Sequence, residues 1–421
     1  MFILCSIVCF FTGLLAKLKE RTWNNPATLL CWLYAICSFL SGLRLYGMIN
    51  TSDLVYTIVL VGVASCFIGY LLSTRISVKC SKKTALNTRV LSLMIISSAV
   101  FSTIEVIDVI RLFRSGMTLD FIRLYYYGIK VQGNQISSLI KQFEVYVNLP
   151  LVYVFMPILS NVLVNKKNRE NLSWIHRILM LYAIIVSQFA SGGRMILMYF
   201  LVELAITVFL NKERSLVSFI KKYKKVFLTA GMLFVIVVVI SGLRGDASGT
   251  TNILLTAYTY LTCAFPVFSN NLEFFSGNTT YGLAFISGFI RPIIVIMKSV
   301  FGFSPQVLDK VYEFAEYAQV NTTQIAQGRS ANAFTTMFSY FYLDGRFLGV
   351  ILESILYMII LSVIYKKYKK YRTDWYQILY ILSIQGLCFS FVRYQYVVVS
   401  MCLPFVYAWL LFKKSSNVEK R

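Results

Sequence analysis

Residues 54–74 read LVYTIVLVGVASCFIGYLLST, a run without one charged side chain. At about 1.5 Å of rise per residue, such a helix crosses the roughly 30 Å hydrocarbon core of a bilayer. The residues after it decide the reading. Arg75, Lys79, Lys82 and Lys83 come directly behind the run, as basic residues do where a chain leaves a membrane on its cytoplasmic side.

The same alternation extends in both directions. Apolar runs near 1–16, 26–46, 90–110, 146–164, 178–193, 195–211, 226–243, 346–364, 375–391 and 394–412 join 54–74, for about eleven spans. Basic runs begin at Lys17, Arg75, Lys166, Lys212, Lys366 and Lys413, and 27 of the 41 Lys and Arg residues fall in these alternate loops. The positive-inside bias puts that side in the cytoplasm, with the N-terminus outside and the C-terminus inside. Met1 to Ala16 carries its basic flank after the apolar stretch rather than before it. It therefore reads as a retained first span, not a secretory signal.

Composition agrees. The chain of 421 residues is 57% hydrophobic and 14% charged, against roughly 25% charged in ordinary soluble domains. The net charge of +23 does not indicate nucleic acid, because the basic residues sit in short runs between apolar spans. Nine cysteines include no CxxC pair and lie mostly inside apolar runs, so they read as small buried thiols. His176, the one histidine, sits beside Arg177 in a basic loop and reads as a surface residue. HExxH, GxSxG and Walker glycine patterns are absent. The sequence therefore gives no support to metal or nucleotide chemistry, and no cofactor is expected.

The expected fold is all-α: a polytopic transmembrane helix bundle, with residues 1–421 as one integral membrane domain. Two extracytoplasmic loops stand out, a first at 111–145 and a long one at 244–345. Within the long loop, 254–268 and 281–303 are apolar, but the link SNNLEFFSGNTT between them has no Lys or Arg. They read as interfacial or re-entrant helices rather than two further crossings. No internal repeat of the kind found in inverted-repeat transporters is visible.

Arginines outside the cytoplasm oppose the orientation bias. They are Arg111, Arg114, Arg123, Arg194, Arg244, Arg291, Arg329, Arg346 and Arg393. A planar guanidinium fork suits phosphate oxygens. The alternative is snorkelling to lipid headgroups, which lysine would do equally well. Three patterns hold some of these arginines: Ser191-Gly192-Gly193-Arg194, Ser241-Gly242-Leu243-Arg244-Gly245-Asp246, and the stretch from Gln327 to Arg346. The last contains Arg329, Asn332, Tyr340, Tyr342 and Asp344. Tyrosines beside polar groups suit sugar rings, and an interfacial aromatic belt is the bland alternative. Inside spans, Glu105, Asp108 and Arg111 recur at intervals of three and share a helix face. Glu203, Glu353 and Arg44 also read as intramembrane and should face the bundle interior or a polar cavity.

The SGGR turn, the SGLRG segment, the long outer loop and the NAFTTMFSYFYLDGR stretch together resemble the O-antigen and capsule repeat-unit polymerases, the Wzy-type family. The resemblance covers the whole chain in layout and rests on short segments. It implies a glycosyltransferase of the bacterial inner membrane, without metal. Such an enzyme takes undecaprenyl-pyrophosphate-linked oligosaccharide at the extracytoplasmic face and joins the units into polysaccharide. Its partners would be that lipid-linked substrate, membrane lipid and a chain-length regulator, with no nucleic acid.

Family arginines in two outer loops correspond by position to Arg111, Arg114 and Arg123 in the first loop and to Arg244, Arg291 and Arg329 in the second. The family's repeated arginine-to-glycine spacing is not reproduced. The expected pyrophosphate ligands are Arg194, Arg244, Arg291, Arg329, Arg393, Arg111 and Arg114. Asn332, Tyr340 and Tyr342 are the expected sugar contacts. Asp344 and Asp246 are the expected catalytic bases, followed by Glu313 or Glu273. Rival readings are an O-antigen ligase, which carries a loop histidine that this chain lacks, and a lipid-linked oligosaccharide flippase or transporter.

Overall fold

A computed structural model describes residues 1–79, 83–126, 138–165, 172–191, 193–211, 228, 231–232, 253–302 and 305–414. The chain is almost entirely helical, with two short antiparallel strand pairs among the described residues. Among the described residues, seven helices are long and apolar enough to cross a membrane: Phe2–Glu20, Pro26–Leu43, Asp53–Ser73, Thr88–Arg114, Leu139–Val164, Leu283–Phe301 and Thr336–Tyr371. Shorter apolar helices run Trp174–Ala190, Met195–Leu210 and Val399–Leu411. The apolar run near 226–243 lies almost wholly outside the described residues. The count of about eleven spans therefore stays an expectation. Leu283–Phe301, read from the sequence as interfacial, has the length and composition of a crossing helix.

Burial shows how these helices meet their surroundings. On Thr88–Arg114 (α4), Leu93, Ile96, Val100, Ile104 and Ile107 are exposed, while Ser98, Ser102 and Glu105 are buried with Leu91 and Ile95. A water-soluble helix has its polar face outside. Here the apolar face is outside and much of the polar face is inside, as in a helix solvated by lipid tails. Leu283–Phe301 (α12) repeats this, exposing Phe289, Ile293, Ile296 and Val300 and burying Ala284, Ser287 and Gly288.

Contacts divide the chain into two compact units, where the sequence reads as one integral domain. The first comprises 1–80, 252–372 and 386–399. In it, α1 (Phe2–Glu20), α2 (Pro26–Leu43) and α3 (Asp53–Ser73) pack with α14 (Thr336–Tyr371). Asn25 caps α2 by accepting the Thr28 N–H at 2.8 Å, and Pro26 supplies the fixed φ of the first turn. α3 and α14 come close because α3 is glycine at two facing positions. A Cβ on Gly69 would lie 2.4 Å from the carbonyl oxygen of Ile355, and one on Gly62 would strike the Phe338 ring. Small residues that let backbones meet are the usual device for helix pairing in lipid.

The rest of this unit is α10 (Ile253–Thr262), α11 (Ala264–Asn270), α12, α13 (Gln306–Val320), the hairpin of β2 (Thr323–Ala326) with β3 (Arg329–Ala331), and residues 386–399.

The second unit comprises 81–251, 373–385 and 400–421. Its helices are α4, α5 (Leu119–Tyr126), α6 (Ser138–Phe143), α7 (Leu149–Val164), α8 (Trp174–Ala190), α9 (Met195–Leu210), most of α15 (Asp374–Cys388) and α16 (Val399–Leu411). β1 (Lys83–Leu86) pairs with β4 (Phe412–Lys414). Between α6 and α7, Glu144–Asn148 forms a π-helical turn. Turns of this kind displace side chains from the regular helical spiral and often mark sites. Among the described residues all cysteines are free, and only Cys388 is not fully buried.

Candidate functional site

In the first unit the chain interrupts its longest helix to build a junction. α14 breaks at Gly345 (φ −170°, ψ 31°) and Arg346 (φ 55°, ψ −138°). Just before the break, the carbonyls of Leu343 and Asp344 are taken by the N–H groups of Thr280 and Tyr281, at 3.2 and 3.0 Å. The Asp344 carboxylate also turns to α12, which begins after Gly282, a residue with no side chain to cap it. Oδ1 accepts the Ala284 N–H and Oδ2 the Phe285 N–H, both at 2.9 Å, and the Thr280 hydroxyl donates to Oδ1. Asp344 thus caps another helix from a distance.

The sequence reads Asp344 as a catalytic base, and the structure gives its carboxylate a capping role. The carboxylate is 3% exposed and already accepts three hydrogen bonds. Tyr340, read as a sugar contact, is enclosed as well. Its ring is buried and meets Phe314 edge-on at 5.0 Å, within a cluster that includes Phe274, Phe275 and Tyr317. Tyr342 is only half-buried and lies T-shaped against Phe275. Asn332 is half-buried between β3 and α14.

Four arginines of the first unit occupy different settings. Arg291 lies over the Tyr312 ring at 4.0 Å. Arg329 begins β3, opposite Ala326. Arg393 pairs through its backbone with Thr336 at the start of α14. That helix start is closed by backbone, because Thr335 and Met337 donate to Val392 and Ser390 at 2.8 and 2.7 Å.

Arg346 is the most distinctive. Its Nη2 donates to the Phe275 carbonyl, its guanidinium lies 5.3 Å from the Tyr342 ring centre, and its buried Nη1 has no acceptor among the described residues. The sequence placed Arg346 with the outer arginines but gave no reason to choose it. The one available signal was the glycine before it.

In the second unit, Arg194 ends the SGGR turn and opens α9. Gln188, which sequence reasoning passed over, organises that turn. Its Nε2 donates to the Gly193 carbonyl, and its Oε1 accepts the Leu197 N–H at 3.0 Å. Arg111 and Arg114 lie in the last turn of α4 and are exposed. Arg123 lies in α5. Arg244 and Asp246 fall outside the described residues. Glu273 and Glu313 are exposed, and Arg44 is an exposed residue that ends α2. His176 bridges α4 and α8, with Ser92 and Ser173 hydroxyls at 2.7 Å from its two ring nitrogens.

The helix face expected from the spacing of Glu105, Asp108 and Arg111 does line one cleft. Its volume is about 220 Å³, and Tyr125, Tyr126, Ile104, Ile107, Val109 and Ile140 complete the wall. Arg111 approaches Asp108 at 3.7 Å, and the Tyr125 hydroxyl donates to Asp108 at 3.1 Å. Behind the cleft, Tyr126 donates to Glu144, and the Asn148 amide donates to Glu144 at 2.7 Å and Glu105 at 3.4 Å. Ser98 then donates to Asn148 at 2.7 Å, and Ser102 meets Ser187 at 3.1 Å. The π-helical turn is what brings Glu144 and Asn148 inward together. Burial pushes the Tyr126 phenol well above its ordinary range, and burial followed by the Asp108 charge raises that of Tyr125. Both tyrosines are therefore O–H donors at neutral pH.

Elsewhere in the second unit Glu203 is wholly buried, and neither of its carboxylate oxygens has a partner among the described residues. No group of three or more His, Cys, Asp or Glu side chains is arranged to hold a metal among the described residues. No family model matches the chain, and no curated protein or solved structure matches it significantly.

Proposed function

We propose that the chain is a membrane glycosyltransferase of the repeat-unit polymerase kind. It would join polyprenyl-pyrophosphate-linked oligosaccharide units at the extracytoplasmic face of a bacterial inner membrane. The observation that carries the reading is Arg346, held at the break in a membrane helix with one buried guanidinium nitrogen lacking an acceptor. Leaving such a charged donor unmatched costs at least about 1–3 kcal/mol. A diphosphate oxygen would satisfy it. Arg291, Arg329 and Arg393 belong to the same unit and supply further positive charge.

In the transfer, an acceptor sugar hydroxyl attacks the anomeric carbon of the donor. The carbon–oxygen bond to pyrophosphate breaks, the leaving group takes the electron pair, and the hydroxyl proton passes to a base. Negative charge grows on the pyrophosphate, and preorganised guanidinium groups in a low-dielectric site stabilise it without reorganising. No metal or cofactor is required in this scheme.

The buried carboxylates of Glu203 and Glu353 within membrane helices support a second reading, a lipid-linked oligosaccharide flippase or transporter. Replacing Arg346 with alanine tests the first. Long-chain polysaccharide should disappear while the protein level holds and surface lipid bearing a single repeat persists. Normal chain ladders would refute the role of Arg346, and loss of even the single repeat would favour the flippase.

A further inference from the structure

In the first unit, α1, α3 and α14 end side by side and gather basic side chains there. The Thr22 hydroxyl meets that of Tyr365 at 2.9 Å, and Lys369 pairs with Glu20 at 2.6 Å. Lys366 donates to the carbonyls of Ser73, Thr74 and Ile76 at 3.0, 3.2 and 2.7 Å, which closes the end of α3. Residues 17–23, 73–79 and 365–372 together hold ten Lys and Arg but one acid, Glu20. Lys369 already neutralises that acid, so this surface carries a large excess of positive charge.

Lys366 and Lys369 hold the helix ends together, whereas Lys19, Arg21, Arg75, Lys79 and Arg372 are exposed. Arg21 and Arg372 directly follow α1 and α14 with φ of 53° and 44°. Glycine adopts that left-handed conformation without strain, and arginine stands there at both helix ends. Within a turn of these charges the surface is apolar, because Leu15, Leu18 and Leu72 are exposed. Lys17 lies 4.3 Å from the ring centre of Trp23, which is also exposed. Tryptophan takes this place at the headgroup level of a bilayer. A soluble polyanion would match the charges and leave the leucines in water. A zwitterionic headgroup, with no net charge, would leave the excess charge unmatched.

We propose that this surface binds the headgroups of acidic phospholipids, with their acyl chains against Leu15, Leu18 and Leu72. The phosphates meet Lys19, Arg21 and Arg75. The inference rests on the membrane character of the chain and not on the polymerase reading.

The test uses the full chain in phosphatidylcholine nanodiscs doped with a phosphatidylglycerol that carries a photoreactive diazirine high on one acyl chain. Labelled peptides should map to 15–23 and 71–79. Excess plain phosphatidylglycerol should remove the label, while excess phosphatidylcholine and free glycerol phosphate should not. Arg21→Gln with Arg75→Gln should lower the apparent affinity about twenty-fivefold, since each basic residue near an acidic membrane surface is worth about fivefold. Should that variant fold poorly, Lys79→Gln alone, at an exposed position outside the helices, should lower it about fivefold. The competition on the unaltered chain needs no variant. Label spread evenly over the other lipid-facing helices, equal competition by phosphatidylcholine, or removal by free glycerol phosphate overturns the proposal. So does unchanged affinity in a folded variant.

Discussion

The carboxylate of Asp344 accepts the backbone N–H of Phe285 at 2.9 Å, although 59 residues separate the two in sequence. That bond, with its neighbour to Ala284, ties the break in α14 to the first turn of α12. It gives the most apparent catalytic carboxylate of the sequence a holding role.

Replacing Asp344 with alanine leaves the N-terminus of α12 uncapped and should cost about 1–3 kcal/mol. Asparagine keeps one acceptor oxygen and should cost less. Thermal unfolding of the purified protein reads both. A catalytic base would behave differently: the asparagine variant would melt like the unaltered protein and yet be inactive.

Tyr126 and Tyr125 make a matched pair of tests. Tyr126→Phe removes the donor to the buried Glu144 and should destabilise by about 1–3 kcal/mol. Tyr125→Phe removes a donor to Asp108, whose carboxylate is about a third exposed, and should cost under about 1 kcal/mol. Equal melting shifts for the two would contradict the assignment of Glu144 to the interior.

Gly69 sets the closest approach of α3 to α14. Valine there meets the Ile355 backbone, which cannot swing aside as a side chain would, and should cost about 1–3 kcal/mol. The check is a lowered melting temperature of the purified protein, with a smaller fall for alanine than for valine at the same position.

For Tyr340, the enclosed ring predicts that Phe is tolerated, with polysaccharide chains of normal length, while Ala costs about 3–5 kcal/mol by leaving a cavity. A sugar-stacking Tyr340 would instead lose chain length with stability intact.

The membrane character was legible in the sequence because apolar length and basic punctuation are local properties, and α1 to α4 start and end close to where those signals place them. The shared face of Glu105, Asp108 and Arg111 was legible for the same reason, helical spacing being local. The partners of that face were not. Tyr126, Glu144 and Asn148 reach it through a π-helical turn and a loop, and neither carries a periodic signature. Asp344 reads as chemistry because it stands beside glycine and arginine, while the backbone N–H groups that its carboxylate caps lie some sixty residues earlier and leave no local signal. Beyond the glycine before it, nothing local distinguishes Arg346 from the other outer arginines, since its unmatched nitrogen depends on where Phe275 and Tyr342 fold.

The central claim is polymerisation of lipid-linked units. Its most direct test is electrophoresis of surface polysaccharide from the host strain with this protein deleted, beside the same strain carrying it again. The account predicts lipid capped by a single repeat in the deletion and a restored ladder on complementation. A full ladder without the protein, or no repeat on the surface at all, would contradict it.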